Sequence, residues 1–206
     1  SISLDDEELN LSAYDPKTAE DHGIVTVYQN FHLIPHLSVA ENLSMPIFTR
    51  ERGFIHWKDV YAHADEVLEK INYDIDPRAK VRDLPVSQKQ MLEISIALSK
   101  NARVLIMDEP TAALSRKETE NLFQAIADIK ARDIGIIYIS HKMKEIYRLA
   151  DRITVLRDGI YIGTAGPHAL PEPRLIRWMV GRELLELFPN RAPTQGEPLL
   201  AVRAMR

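Results

Sequence analysis

A parallel-sheet α/β core carrying an inserted helical subdomain is the fold this sequence predicts, and three observations predict it. Two apolar, β-branched runs, RVLIMD (103–108) and IGIIYIS (134–140), each lie between stretches with helical spacing. That alternation builds parallel strands joined by crossover helices. The stretch from about Gln29 to Asn101 is mainly helical by pattern and interrupts the strands on either side of it. The 206 residues suffice for one good-sized core.

The elements follow in order. SISL and ELNLSAY alternate apolar and polar residues and read as short half-buried strands. DPKTAEDHG is a short helix, with Asp15 as cap, Pro16 at the first helical position and Gly23 as stop. Ile24–Tyr28 is a β-branched strand. QNFHLIPHLSVAENLSMPIF holds two prolines and a mixed pattern, which predicts a loop and a short helix. In KDVYAHADEVLEKIN, Val60, Ala64, Val67, Leu68 and Ile71 form one helical stripe. SQKQMLEISIALSK is the next helix, with Ser87 and Gln90 spaced as a capping box. RVLIMD reads as a strand covered on both faces, and Ile134–Ser140 as a second buried strand. Between them, SRKETENLFQAIADIKAR is a helix opened by a capping box of Ser115 and Glu118. KMKEIYRLA is helical, and RITVLRDGIYIGT is a hairpin turning at Asp158–Gly159. FPNRAPTQGEP (188–198) has the composition of a linker, and LLAVRAMR (199–206) starts a further strand.

Composition removes several classes of function. The formal net charge is −4, from 26 basic and 30 acidic side chains, which argues against a nucleic-acid binder relying on a broad basic face. The chain has no cysteine, so disulfides, thiolate metal sites and cysteine nucleophiles are excluded. No apolar run approaches the ~20 residues of a membrane span. The acidic start SISLDDEELN carries no signal-peptide pattern, and the first residue is Ser1 rather than Met, as expected of a processed or partial product.

The chemistry concentrates in VLIMDEPTAAL (104–114). A parallel strand delivers its last side chains to the carboxyl edge of the sheet, where ligands of open α/β folds sit. Asp108 is placed there to hold a hydrated Mg²⁺, an ion that prefers oxygen ligands. Glu109 projects differently and suits polarising a water that attacks a γ-phosphate. Pro110 stops the strand. The neighbouring strand ends in Ser140 and His141, and a histidine at the same edge suits a hydrogen bond to that phosphate.

VLIMDEPTAALS followed by IIYISHKMKEI resembles the ATP-binding subunit of ABC transporters, a P-loop NTPase fold with an inserted helical subdomain. The first stretch is similar to the Walker B strand, catalytic glutamate and D-loop of that family, and the second to its switch-histidine loop. VTVYQN resembles the Q-loop, which implies that Gln29 senses Mg²⁺ and the membrane partner. LPVSQKQMLEISIAL sits where the signature motif (LSGGQ) belongs. Order and spacing agree over roughly residues 1 to 188. The resemblance implies ATP and Mg²⁺ as cofactors, with Glu109, His141 and Gln29 catalytic and Asp108 and Gln29 at the metal. It also implies that Leu84, Val86, Ser87 and Gln88 of the signature, and Ala113, Leu114 and Ser115 of the D-loop, face ATP across a cassette dimer. QKQMLEISIAL, IYISHKMKEI, VLRDG and MVGREL resemble ATPases of ribose-, galactose- and xylose-type importers, in which two cassettes are fused in tandem. MVGRELLELFPNR followed by GEPLLAVRAM then marks the end of a first cassette (1–188), a linker (189–198) and the first strand of a second (199–206). The partners implied are a second cassette, integral membrane permease subunits and an extracytoplasmic sugar-binding protein, with the subunit peripheral on the cytoplasmic face of the membrane. Importer ATPases for purine nucleosides and autoinducer-2 are similar.

Three positions depart from the family pattern. Pro85 replaces the signature serine and offers neither a hydroxyl nor an N–H. Ser87 replaces the second signature glycine, at a helix N-terminus that favours anions. Ser115 replaces the aspartate that often closes the D-loop, and it is equally suited to cap the next helix. None of the eight glycines opens a G-x-x-x-x-G-K-[ST] phosphate loop. By resemblance, SISLDDEEL follows the helix after that loop, so the loop is expected about 15 to 25 residues upstream of Ser1. The 206-residue polypeptide alone is therefore expected to bind ATP poorly and hydrolyse it negligibly.

Other signals are weaker. His32 and His36 are spaced four apart, but Pro35 between them argues against a metal pair on a helix. Phe31, Leu33, Ile34 and Leu37 either dock the coupling helix of a membrane subunit, as the resemblance implies, or pack inside the helical subdomain. Trp178 and Met179 are expected in the core, and Tyr161 is an ordinary strand aromatic. Two readings compete with transport. A non-transport ABC ATPase of translation or DNA repair would bring a basic linker or sustained heptads, and neither is present. A non-catalytic remnant regulating a partner cassette would explain the missing phosphate loop.

Overall fold

The structure is a computed structural model that describes residues 2–4, 7–9, 15–28, 31–48, 55–70 and 74–181. Gln29, Ile71, the 188–198 linker and the 199–206 segment lie outside the described residues. The chain divides into two units, 1–149 and 150–206.

In the first unit, β1 (Ile2–Leu4) and β2 (Glu7–Leu9) pair antiparallel. Helix α1 (Pro16–Asp21) forms as its sequence predicts: Asp15 accepts the Thr18 N–H at 2.7 Å and Pro16 opens the first turn. Gly23 then turns the chain at φ +77°. Its carbonyl accepts the N–H groups of Arg103 and Val104, which sets the register of the main sheet. That sheet has the order β3 (Ile24–Val27), β4 (Val104–Asp108), β5 (Gly135–Ile139), all parallel, with Ile24 beside Val104 and Val104 beside Gly135.

The sheet is covered less evenly than its apolar runs predict. Val25, Val27, Leu105 and Met107 point into the core, and the alternate residues of β3 and β4 are half-buried. β5 is an edge strand among the described residues, and Ile137 and Ile139 are 51% and 47% exposed. The expectation of a second buried strand is therefore corrected. Isoleucine follows the pleat preference here, which does not require burial on both faces.

Helices fill the interval between β3 and β4. Ahead of α2 (Val39–Phe48), Ser38 and Glu41 exchange hydrogen bonds as a capping box, which draws the Glu41 carboxyl below its ordinary range. In α3 (Trp57–Lys70), the stripe Val60, Ala64, Val67, Leu68 is buried as its spacing predicts. Helix α4 (Val86–Ser99) is buried along most of its length, from Ser87 to Ala97. Leu43, Leu92 and Leu105 are fully buried in one cluster with these stripes, each worth about 1.5–3 kcal/mol relative to exposure. Helix α5 (Arg116–Lys130) buries Leu122, Phe123, Ala125, Ile126 and Ile129, and α6 (Met143–Leu149) follows β5.

The second unit holds the hairpin. β6 (Ile153–Arg157) and β7 (Ile160–Ala165) pair antiparallel across Asp158 (φ +52°) and Gly159 (φ +76°). Two consecutive positive φ values are what a two-residue hairpin turn demands. Helix α7 (Glu172–Val180) anchors on buried Leu175. Its Trp178 is half-buried and lies against Gly163, where a Cβ would come within 2.8 Å of the ring. Arg174 covers the other part of that ring at 5.0 Å from its centroid. Tyr161 is mostly exposed on β7. Among the described residues no helix is long and apolar enough to cross a membrane.

Candidate functional site

The site lies at the carboxyl edge of β4 and β5, where the parallel register ends with Asp108 beside Ile139. Asp108 is half-buried, and its carboxylate has no hydrogen bond or ion pair among the described residues. Glu109 leaves the strand with φ +45°, a left-handed backbone that costs a non-glycine residue about 1–2 kcal/mol. Its N–H donates to the Ile139 carbonyl at 3.0 Å, and its own carbonyl accepts the Ala112 N–H at 3.1 Å. This bend aims its carboxylate sideways, toward the next strand. There His141 donates from Nδ1 to Glu109 Oε1 at 2.7 Å. The structure thus brings two residues 32 apart in sequence into direct contact, with the imidazole largely exposed and the carboxylate one-third exposed.

Behind this pair sits a buried polar network. Thr111, 2% exposed, donates its hydroxyl to both oxygens of Glu145 at 2.8 and 2.9 Å. Glu145 also accepts from Tyr138 at 2.8 Å and from Ser140 at 3.3 Å. Lys142 closes the network: its ammonium donates to the Thr111 carbonyl at 3.0 Å and hydroxyl at 2.9 Å, and lies 3.3 Å from Glu145. Burial alone would raise the Glu145 pKa. The hydrogen bonds from Tyr138 and Thr111 and the charge of Lys142 outweigh it, and the carboxyl sits below its ordinary value. Burial, then the bond to Glu145, pushes the Tyr138 phenol well above its ordinary value.

The signature and D-loop residues meet at the start of α4. Leu84 is buried, Pro85 is the N-cap and makes no side-chain cap bond, and Val86 is exposed. The expected capping box of Ser87 and Gln90 does not form. Proline takes the cap position, so Ser87 lies inside the first turn, buried, and the Gln90 amide nitrogen is buried without a partner. The Val86, Ser87 and Gln88 N–H groups at this helix start find no acceptor among the described residues. Ser115 caps α5 with Glu118 in a reciprocal capping box. Hydrogen bonds from Ser115 and then Ser87 hold the Glu118 carboxyl at about 2. Ser87 of the signature and Ser115 at the D-loop end thus both lower the same carboxyl. A cleft of about 270 Å³ opens beside them, lined by Phe31, Val86, Gln90, Glu109, Ala113 and Leu114.

Sequence reasoning passed over several polar residues. Glu93 on α4 is buried and accepts the backbone N–H of His32 through Oε1. Asn42 on α2 holds both the N–H and the carbonyl of Ile34, at 2.8 and 3.2 Å. These two side chains pin the apolar segment that follows the Q-loop position. A lone acid inside the apolar run MLEISIAL is the signal that marks Glu93. Among the described residues no cluster of three or more metal-ligand side chains exists, and His32 instead meets Tyr28 edge-on at 4.8 Å.

An α/β cassette with paired acids at the edge of β4 and a histidine at the edge of β5 belongs to the class of nucleotide-handling P-loop folds. A family model described as ABC transporter matches residues 1–112, and the chain belongs to that family. It is 44% identical over 186 residues to the galactose/methyl galactoside import ATP-binding protein MglA of Pasteurella multocida, covering 90% of this chain and 37% of the relative. It is 41% identical over 204 residues to the ribose import ATP-binding protein RbsA 1 of Streptomyces avermitilis, covering 99% of this chain and 38% of the relative. The chain thus spans less than two fifths of the length of these relatives. A nucleotide-free ATP-binding cassette from an ABC transporter superposes with a TM-score of 0.69 at 20% identity, over 84% of this chain and 74% of the other, which establishes the fold.

Proposed function

We propose that this chain is part of the ATP-binding and hydrolysing subunit that powers sugar import by an ABC transporter. The observation that carries the reading is the 2.7 Å contact between Glu109 and His141 beside the Asp108 carboxylate, which has no partner among the described residues. Glu109 Oε2 takes a proton from the attacking water while Oε1 stays bound to His141. With Nδ1–H given to Glu109, Nε2 of a neutral His141 accepts a hydrogen bond from the water, and Nε2–H of the protonated ring donates to the γ-phosphate. Asp108 fits a hydrated Mg²⁺, which needs few protein carboxylates and retains several waters, and the family resemblance assigns Gln29 to the same ion. When bound, the metal neutralises charge on the phosphates. The free N–H groups opening α4 at Val86, Ser87 and Gln88 suit a phosphate presented by an opposing cassette. Leu84 and the D-loop residues Ala113, Leu114 and Ser115 border the same interface.

The partners in this reading are a second cassette, membrane permease subunits and an extracytoplasmic sugar-binding protein. The subunit works at the cytoplasmic face of the membrane. Residues 1–188 form the cassette, 189–198 a linker and 199–206 the start of a second cassette. The names of the relatives, which are import ATP-binding proteins for ribose and for galactose/methyl galactoside, support the choice of a sugar. The test is Mg²⁺-dependent ATP hydrolysis by the purified full-length gene product. Glu109→Gln is expected to lower kcat about 10²–10⁴-fold with nucleotide binding retained. Unchanged turnover in that variant would remove Glu109 from the chemistry and the reading with it.

A further inference from the structure

We propose that Thr111, Glu145 and Lys142 form a positioning clamp that holds Glu109 in its left-handed backbone and thereby sets the Glu109–His141 contact. The proposal rests on the functional reading above for its catalytic consequence, but not for its structural one.

The left-handed conformation at Glu109 has no glycine or asparagine to relieve it. Such a conformation persists only where neighbouring contacts over-determine it. The flanking residues supply those contacts. Two residues after Glu109, Thr111 is held at its hydroxyl by Glu145 and at both hydroxyl and carbonyl by Lys142. On the opposite side, the Glu109 N–H is held by the Ile139 carbonyl. Ile139 itself lies between Tyr138 and Ser140, and both of these donate to Glu145. One carboxylate therefore fastens the chain after Glu109 and the chain before His141. Lys142 adds a direct covalent tether, since it follows His141 in sequence and its N–H donates to Ser140 Oγ at 3.1 Å. Among the described residues none of the three bonds the Glu109 carboxylate or the His141 ring. They act through Glu109 and His141.

The Thr111 hydroxyl is both donor to Glu145 and acceptor from Lys142, which separates two near-isosteric substitutions. Thr111→Ser keeps both bonds, whereas Thr111→Val keeps the shape and loses both. In hydrogen–deuterium exchange on the folded full-length gene product, Thr111→Val is expected to speed exchange at the Glu109 and Ala112 amides about tenfold. The β3 amides should be unaffected, and Thr111→Ser should match wild type. In hydrolysis, Thr111→Val is expected to lower kcat about 100-fold with KM unchanged, and Thr111→Ser to restore it. Equal behaviour of Val and Ser, or wild-type exchange at Glu109 in the Val variant, overturns the clamp. Should Thr111→Val fail to fold, Lys142→Met is read at the same two amides, and wild-type exchange there overturns it equally. If the wild-type protein hydrolyses no ATP, the functional reading fails while the exchange comparison still decides the clamp.

Discussion

Glu93→Gln is expected to stabilise the protein at neutral pH, against the usual outcome of altering a buried residue. Glu93 is 8% exposed, accepts one backbone N–H from His32, and leaves Oε2 buried with no partner among the described residues. Burial pushes its pKa above the ordinary 4.5, and the His32 N–H and ring offset this only in part. With the folded pKa above the unfolded one, the native state holds the proton more tightly. The stability that the neutral form confers is full below pH 4.5 and is lost as pH rises through the folded pKa. Glutamine keeps the carbonyl oxygen for His32 and puts a neutral amide nitrogen in the place of Oε2, so one unpartnered group remains but the unpaired charge is gone. A buried unsatisfied polar group costs about 1–3 kcal/mol, more when charged, and for a chain of this size each kcal/mol moves Tm by about 2–4 °C. Thermal denaturation at pH 7.5 should therefore place the variant above wild type by a few degrees, and at pH 5 the gap should narrow. A wild-type protein more stable than the variant at pH 7.5, or a gap that does not grow with pH, refutes the reasoning.

Leu105→Ala removes a fully buried side chain from the central strand of the main sheet and is expected to cost about 2–5 kcal/mol, read as a lower urea midpoint. Ser115→Ala removes the hydroxyl that accepts the Glu118 N–H and should cost about 0.5–2 kcal/mol, with Ser115→Asp restoring most of it.

Much of the fold was legible because it rests on local chemistry. Asp15 with Pro16, Ser115 with Glu118, and Asp158 with Gly159 each act within four residues, and each forms what its pattern predicts. The stripe on α3 is legible for the same reason, since helical spacing alone brings Val60, Ala64 and Val67 to one face. What failed needed neighbours. Whether the isoleucines of β5 are covered depends on what packs on that face, which no periodicity encodes. The capping box at Ser87 failed because Pro85, with its fixed φ, made the better boundary. In the candidate site, the strand ends announced Asp108, Glu109 and His141. The network behind them joins Thr111 to Glu145 across 34 residues, and Glu93 meets His32 across 61. Such pairs leave no mark in sequence beyond an acid in an apolar setting.

The backbone at Glu109 also bears on how this protein can be improved. Glycine adopts a φ of +45° without steric cost, so a directed-evolution screen scored on heat tolerance alone would favour Glu109→Gly. That winner would be a sturdier cassette stripped of the carboxylate that faces His141. Thermostabilisation of this chain therefore calls for a screen that scores turnover in the same round, with position 109 held as glutamate and the gains sought in α3, α5 and the hairpin.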